Sequence, residues 1–178
     1  MRKRMDRYIG DALKEFAKWY VEEQPDWLGK ERDCVNAFVT RFLSKTMETG
    51  AAIGSYGQIR VECAVMQPSV EEPPGVRKYR RASATKDIVI WRKETDTTWD
   101  ADWQAKNAPR AIIEWKTSRS GRASETFDEH DRNWLIDFTA EHPKTVGFLV
   151  ATHSANGERY CKWAKVSAGV VRKTHSLP

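Results

Sequence analysis

The chain predicts an α/β fold in which a central mixed sheet is flanked by helices. Two helix-period segments open the sequence, and three strand-period segments follow. A further helix then precedes a continuous apolar strand, "TVGFLVATHS", of the kind buried on both faces. That order of elements implies the layered arrangement.

In the first segment Ile9, Leu13, Phe16 and Tyr20 recur at steps of four, three and four. They line one face of a helix over about residues 4–23, until "EEQPDWLG" breaks the pattern. A second helix runs from about Glu31 to Lys45 with Val35, Phe38, Val39 and Phe42 on its inner face, and "ETGAAIGSYG" ends it. From Gln58, "QIRVECAV" alternates Ile59, Val61, Cys63 and Val65 with Arg60, Glu62 and Ala64, the period of a half-buried strand. Glu62 falls on its polar side as a surface acid.

After the loop "QPSVEEPPGV", residues 87–91, "DIVIW", form a short β-branched strand opened by Asp87. The insertion "RKETDTTWDADWQAKNAP" is longer than most connections in compact domains and reads as an extended hairpin or a functional flap. Its acidic part, Glu94 to Asp102, is a candidate specificity or dimer element by position. "RAIIEWKT" is the third strand. Ser124 is the expected cap of the next helix, whose first turn carries Glu125, Asp128 and Glu129 as the helix dipole favours. Phe127, Trp134, Leu135 and Phe138 share a face of it, and Pro143 lies beyond its end. After the apolar strand a last one is expected in "RYCKWAKV".

With 178 residues the chain is expected to be one domain, large enough to bury roughly two thirds of its unfolded surface without a metal or disulfide staple. Its net charge of +5 is compatible with a polyanionic partner and is also common in ordinary soluble proteins. Cys34, Cys63 and Cys161 are odd in number and lack metal-ligand spacing, which fits free, mostly buried thiols in a reducing compartment. No apolar stretch has signal-peptide length or approaches the ~18 residues of a membrane helix, so the expectation is a cytoplasmic protein with no membrane partner. Eight tryptophans serve packing, or in part an exposed surface on which bases stack.

Chemistry concentrates in "RAIIEWKTSR". On a strand Glu114 and Lys116 point one way, and Ile113, Trp115 and Thr117 point the other. Sequential strands usually pair, which brings Asp87 and Glu114 to one sheet edge. Two close carboxylates suit a hard divalent cation such as Mg²⁺, and Lys116 is placed to orient a water or to stabilise charge on a phosphate. Such a set supports phosphodiester hydrolysis. The plain alternative is an ion pair between Glu114 and Lys116 on a solvated sheet edge, with Asp87 an ordinary turn residue. Chance alone supplies roughly two acid-x-Lys tripeptides in a chain of this composition. Only one occurs, and it lies inside an apolar strand.

"KDIVIW" and "IIEWKTSR" resemble the two motifs of the PD-(D/E)XK nuclease superfamily. The resemblance covers the core from about residue 30 to 155. It implies a restriction-endonuclease-like core, helix, three strands, helix, strand, here with an extra N-terminal helix. It also implies that Asp87, Glu114 and the carbonyl of Trp115 bind Mg²⁺, with Mn²⁺ able to substitute, and that Lys116 assists the attacking water. A glutamate in the helix before the first strand is frequent in the superfamily, and Glu31 is the best match, ahead of Glu22 and Glu23. Lys86 stands where the name-giving motif has proline.

Basic residues at "VRKYRR" and "TSRSGR" flank the two motif strands, and Arg77, Lys78, Arg80, Arg81, Arg119 and Arg122 are candidates for holding phosphates. For each the plain reading is a solvated loop. His130, His142, His153 and His175 lack metal or catalytic spacing and are expected at the surface or behind the site. His130 and Asp131 are read as a solvated helix face, with an approach to the substrate as the alternative. There is no phosphate-binding glycine loop, hence no nucleotide cofactor in this chain, and no nucleophile elbow.

The expected function is a Mg²⁺-dependent deoxyribonuclease acting on DNA, either endonuclease or exonuclease. The rivals are a nuclease-fold module that binds DNA or protein without cutting, and an unrelated α/β interaction protein with an accidental motif. A domain of this size often needs a homodimer to cut two strands, and no motif marks the interface.

Overall fold

The computed structural model of the protein describes residues 5–24, 26–49, 52–71, 75–76, 78–79, 81–119, 127–155 and 157–178. Its helices are α1 (Met5–Lys18), α2 (Glu31–Ala37) and α3 (Glu129–Glu141). Its strands are β1 (Ile59–Met66), β2 (Ser83–Ile90), β3 (Ala111–Ser118), β4 (Val146–Ala155), β5 (Glu158–Ser167) and β6 (Val170–Leu177). The strands form one sheet in chain order. Only β3 and β4 run parallel, and α3 provides the crossover that a parallel pair requires.

Each face of the sheet carries its own core. On one, Ile9, Leu13 and Phe16 of α1 and Val35 of α2 cover Ile88, Ile113, Trp115, Val150 and Trp163. Phe16 is wholly buried, with its ring 5.0 Å from Trp115 and 5.9 Å from Phe38, both edge-on. On the other face Trp134, Leu135 and Phe138 of α3 pack on Val89, Ile112, Leu149 and Val166. The expected helical stripes are therefore the ones that reach the sheet.

Both N-terminal helices continue in widened form. A π-helical turn, Trp19–Glu23, follows α1, and another, Phe38–Leu43, follows α2 and runs into a 3₁₀ segment, Ser44–Thr49. The widened turns carry adjacent buried pairs, Trp19 with Tyr20 and Phe42 with Leu43.

Several expectations need correction. Asp87 is the fifth residue of β2 and does not open it, because the strand begins at Ser83. The alternation of β1 breaks at Glu62, whose φ of 51° is in the left-handed region. Ile59 and Val61 pack with the α1 core, whereas Cys63 and Val65 pack with the α3 core. β2 turns over at the same level, where the ladder pairs Val61 with Ile88 and Cys63 with Lys86, and passes over Glu62 and Asp87. A strand that stayed flat would have sent Lys86 to the same side as Ile88.

Asp128 caps α3 by accepting the N–H of Asp131 at 3.0 Å, so the helix starts four residues later than a Ser124 cap requires. Ser124 and Glu125 lie outside the described residues. β6 was not expected. Ala168 and Gly169, with φ of 48° and 73°, form the tight turn that returns the chain along β5.

The insertion after β2 is not an extended hairpin, and its one bridge joins Trp99 to Ala105. Within it the Asp100 carboxylate accepts the N–H groups of Asp102 at 3.0 Å and Gln104 at 2.8 Å. It folds back on β1 through a Thr98 hydroxyl bond to the Ala64 carbonyl, and Ala105 and Ala108 join the α3-side core. Among the described residues no helix is long and apolar enough to cross a membrane.

Candidate active site

The site forms where β2 and β3 part. Their ladder runs from Ile90 opposite Ala111 to Ile88 opposite Ile113 and then stops. Just beyond, the side chain of Asp87 takes over, its Oδ2 accepting the backbone N–H of Trp115 at 2.7 Å. A carboxylate is thereby fixed between two central strands by a group the sheet would otherwise leave unpaired.

Glu114 lies across from it, only 5% exposed on the α3 side of the sheet. Burying a carboxylate demands a partner, and that partner is Lys86, itself 3% exposed. The Lys86 ammonium donates to Oε1 of Glu114 and sits 3.7 Å from the centre of the Trp134 ring. The other oxygen, Oε2, faces Asp87, whose backbone N–H is 3.5 Å away.

Two residues along β3, Lys116 projects to the same side and is half exposed, with its Nζ 3.3 Å from Oδ2 of Asp131 on α3. From the opposite face Glu31, at the first turn of α2, accepts the N–H of Thr117 at 3.2 Å. Glu31, Val35, Val61, Glu62 and Asp87 line a small cavity of about 50 Å³. At its mouth Arg32 is paired with Glu62 at 2.6 Å, both largely exposed, so Glu62 is the surface acid expected. A larger cleft, about 360 Å³, adjoins Lys116 and runs along Thr117, Ser118, Phe127 and Tyr160.

Charge in this group does not balance. With every carboxyl ionised, Glu31, Asp87, Glu114 and Asp131 would face the two ammonium groups of Lys86 and Lys116 with an excess of two negative charges. Burial pushes the Glu114 carboxyl up to about 7, with Lys86 pulling it back. Burial also raises Asp87, against the Trp115 N–H and Lys116, and raises Glu31, against Lys116. For Lys116 burial acts downward, but Asp131, Glu31 and Asp87 outweigh it, so its affinity for the proton rises.

Among the described residues no three His, Cys, Asp or Glu side chains form a ready metal-binding group. The donors that Asp87 and Glu114 offer are hard oxygens. In donor type, though not in number, these residues fit Mg²⁺ or Mn²⁺.

Asp87, Glu114, Lys116 and Glu31 thus come together, as the spacing and resemblance imply. The basic candidates divide. Arg81 and Arg119 are exposed, Arg119 three residues beyond Lys116. Lys78 is drawn instead to α3, where Asp137 binds its ammonium at 2.9 Å. Asp137 lies six residues, roughly 9 Å, along the helix from Asp131. Arg77, Arg80 and Arg122 lie outside the described residues.

Sequence reasoning missed Lys86 and misjudged Asp131. Asp131 is 9% exposed and paired with Lys116, not part of a solvated face. Lys86 had one visible signal, a lysine directly before an aspartate in an apolar strand. Of the two places expected for the histidines, His153 is not at the surface: it is wholly buried and stacked on Tyr160 with ring centres 5.3 Å apart.

Fold and site together define a mixed α/β protein with a half-buried carboxylate and lysine cluster at the divergence of two central strands. Comparison with protein-family models, with curated proteins and with solved structures finds no match for this chain.

Proposed function

We propose that this chain is a Mg²⁺-dependent deoxyribonuclease of the PD-(D/E)XK type. One observation carries the reading: Asp87 and Glu114 meet at the point where β2 leaves β3, with Lys116 next along the same strand face. The element order from α2 through three antiparallel strands, α3 and the parallel β4 supports it as well.

Asp87, Glu114 and the Trp115 carbonyl would hold the cation. When bound, it supplies Lewis acidity and offsets phosphate charge. Lys116 works as a fixed cation, since Asp131 and Glu31 keep it protonated, and it orients the attacking water and stabilises charge on the scissile phosphate. Asp131 positions Lys116. Glu31 fixes the end of β3 through Thr117, and thereby the distance between Lys116 and Asp87. Arg81 and Arg119 contact flanking phosphates. A homodimer would present two such sites to two strands.

The test is cleavage of linear, branched and single-stranded DNA with Mg²⁺, Mn²⁺ or EDTA, using the wild type beside Lys116→Ala and Asp87→Asn. Metal-dependent cutting that falls at least about 100-fold in both variants is the expected result. Salt-sensitive binding without cutting would replace the reading with a non-cleaving module. Neither cutting nor binding would reject both.

A further inference from the structure

Lys86 is an unusual side chain. It lies in a central strand, is 3% exposed, and gives its ammonium to Oε1 of Glu114 and to the face of Trp134. Nothing in the proposed chemistry requires it, since Lys116 is the half-exposed lysine beside the clefts. A lysine sealed in this way costs the hydration of its ammonium, and methionine would fill the same space without that cost.

Its position relative to the carboxylates suggests what it does. Lys86 occupies one oxygen of Glu114, while the other oxygen faces Asp87. Without Lys86 the cluster would carry three uncompensated negative charges with its most buried member unpaired.

We propose that Lys86 is a resident counter-ion that stands in for metal charge, holding Glu114 in place beside Asp87 so that the site is formed before a divalent cation arrives. This rests on the metal-binding reading above. Lys86 is a positioning residue, because it acts through Glu114 and does not touch substrate. The turnover of β2 at Asp87 is what makes this arrangement possible, since it swings Lys86 to the α3 side where Glu114 and Trp134 lie.

The consequence is a specific exchange of roles between lysine and metal. Wild type should gain far less melting temperature from millimolar Mg²⁺ than Lys86→Met does. Lys86→Met at pH 8 in EDTA should melt about 10 °C lower, and Mg²⁺ should restore most of that loss. The double variant Lys86→Met with Glu114→Gln, which removes both charges, should recover stability in EDTA and ignore Mg²⁺. A merely structural lysine would not be replaced by a metal ion.

The proposal is overturned if Lys86→Met is as stable as wild type in EDTA, or if its loss is not repaired by Mg²⁺ although calorimetry shows that wild type takes the metal up. Should Lys86→Met not fold at all, a double variant that folds supports the counter-ion role and one that also fails overturns it. If wild type itself takes up no Mg²⁺, the metal-binding reading fails. The counter-ion role is then decided by the single and double variants in EDTA alone.

Discussion

Raising the pH from 4.5 to 8 should cost the metal-free protein about 3 kcal/mol through Glu114 alone. Burial lifts this carboxyl from its ordinary value of 4.5 to about 7, even with Lys86 opposing the rise. The folded protein therefore holds the proton roughly 300-fold more tightly than the unfolded chain, which is worth about 3 kcal/mol. Since the folded value is the higher, this contribution is fully present below pH 4.5 and is lost as the pH climbs through 7. Urea unfolding in EDTA at stepped pH measures it. The double variant Lys86→Met with Glu114→Gln serves as a reference that lacks both groups. The difference in unfolding free energy should move by about 3 kcal/mol across the range, favouring wild type at the acid end. A flat difference, or one that favours wild type at the alkaline end, would refute the account of Glu114 as a carboxylate under strain from burial.

Two further outcomes are expected. Asp131→Asn removes the strongest influence that raises Lys116, so the pH at which Lys116 becomes reactive toward an acylating reagent should fall, as read by mass spectrometry of the labelled peptide. Phe16→Ala empties the centre of the α1 core, where one ring meets Trp19, Tyr20, Phe38, Phe42 and Trp115, and should cost about 3–5 kcal/mol by chemical denaturation.

Much of this architecture could be read in advance because apolar period reports burial. Ile9, Leu13 and Phe16 fall on one stripe, and "VGFLVA" is an unbroken apolar run, so α1 and β4 announced themselves. β6 did not, since it is exposed along most of its length and carries no alternation. Its evidence is in the turn, where Ala168 accepts a left-handed φ that only context enforces.

The site was legible in the same uneven way. Asp87, Glu114 and Lys116 share a pattern that sequence spacing preserves. Lys86 and Asp131 depend on geometry that spacing does not encode. The side to which Lys86 points follows from the turnover at Glu62 and Asp87, a backbone event with no composition signal. Asp131 reads as surface because it neighbours Glu129 and His130. It becomes partly buried only because the Asp128 cap sets the helix so that Asp131 meets Lys116.

Every strand of the sheet lies beside its neighbour in sequence, so each strand can pair with the one that precedes it in the chain. α1 is the exception. Its apolar stripe precedes the whole sheet in the chain, yet part of its cover is β5, and Lys165, 159 residues after Asp6, donates to the Asp6 carboxylate at 2.9 Å. Until then Ile9, Leu13 and Phe16 have no complete partner surface. Of the described helices, the first in chain order is thus among the last to be satisfied, and its exposed stripe favours aggregation during that interval.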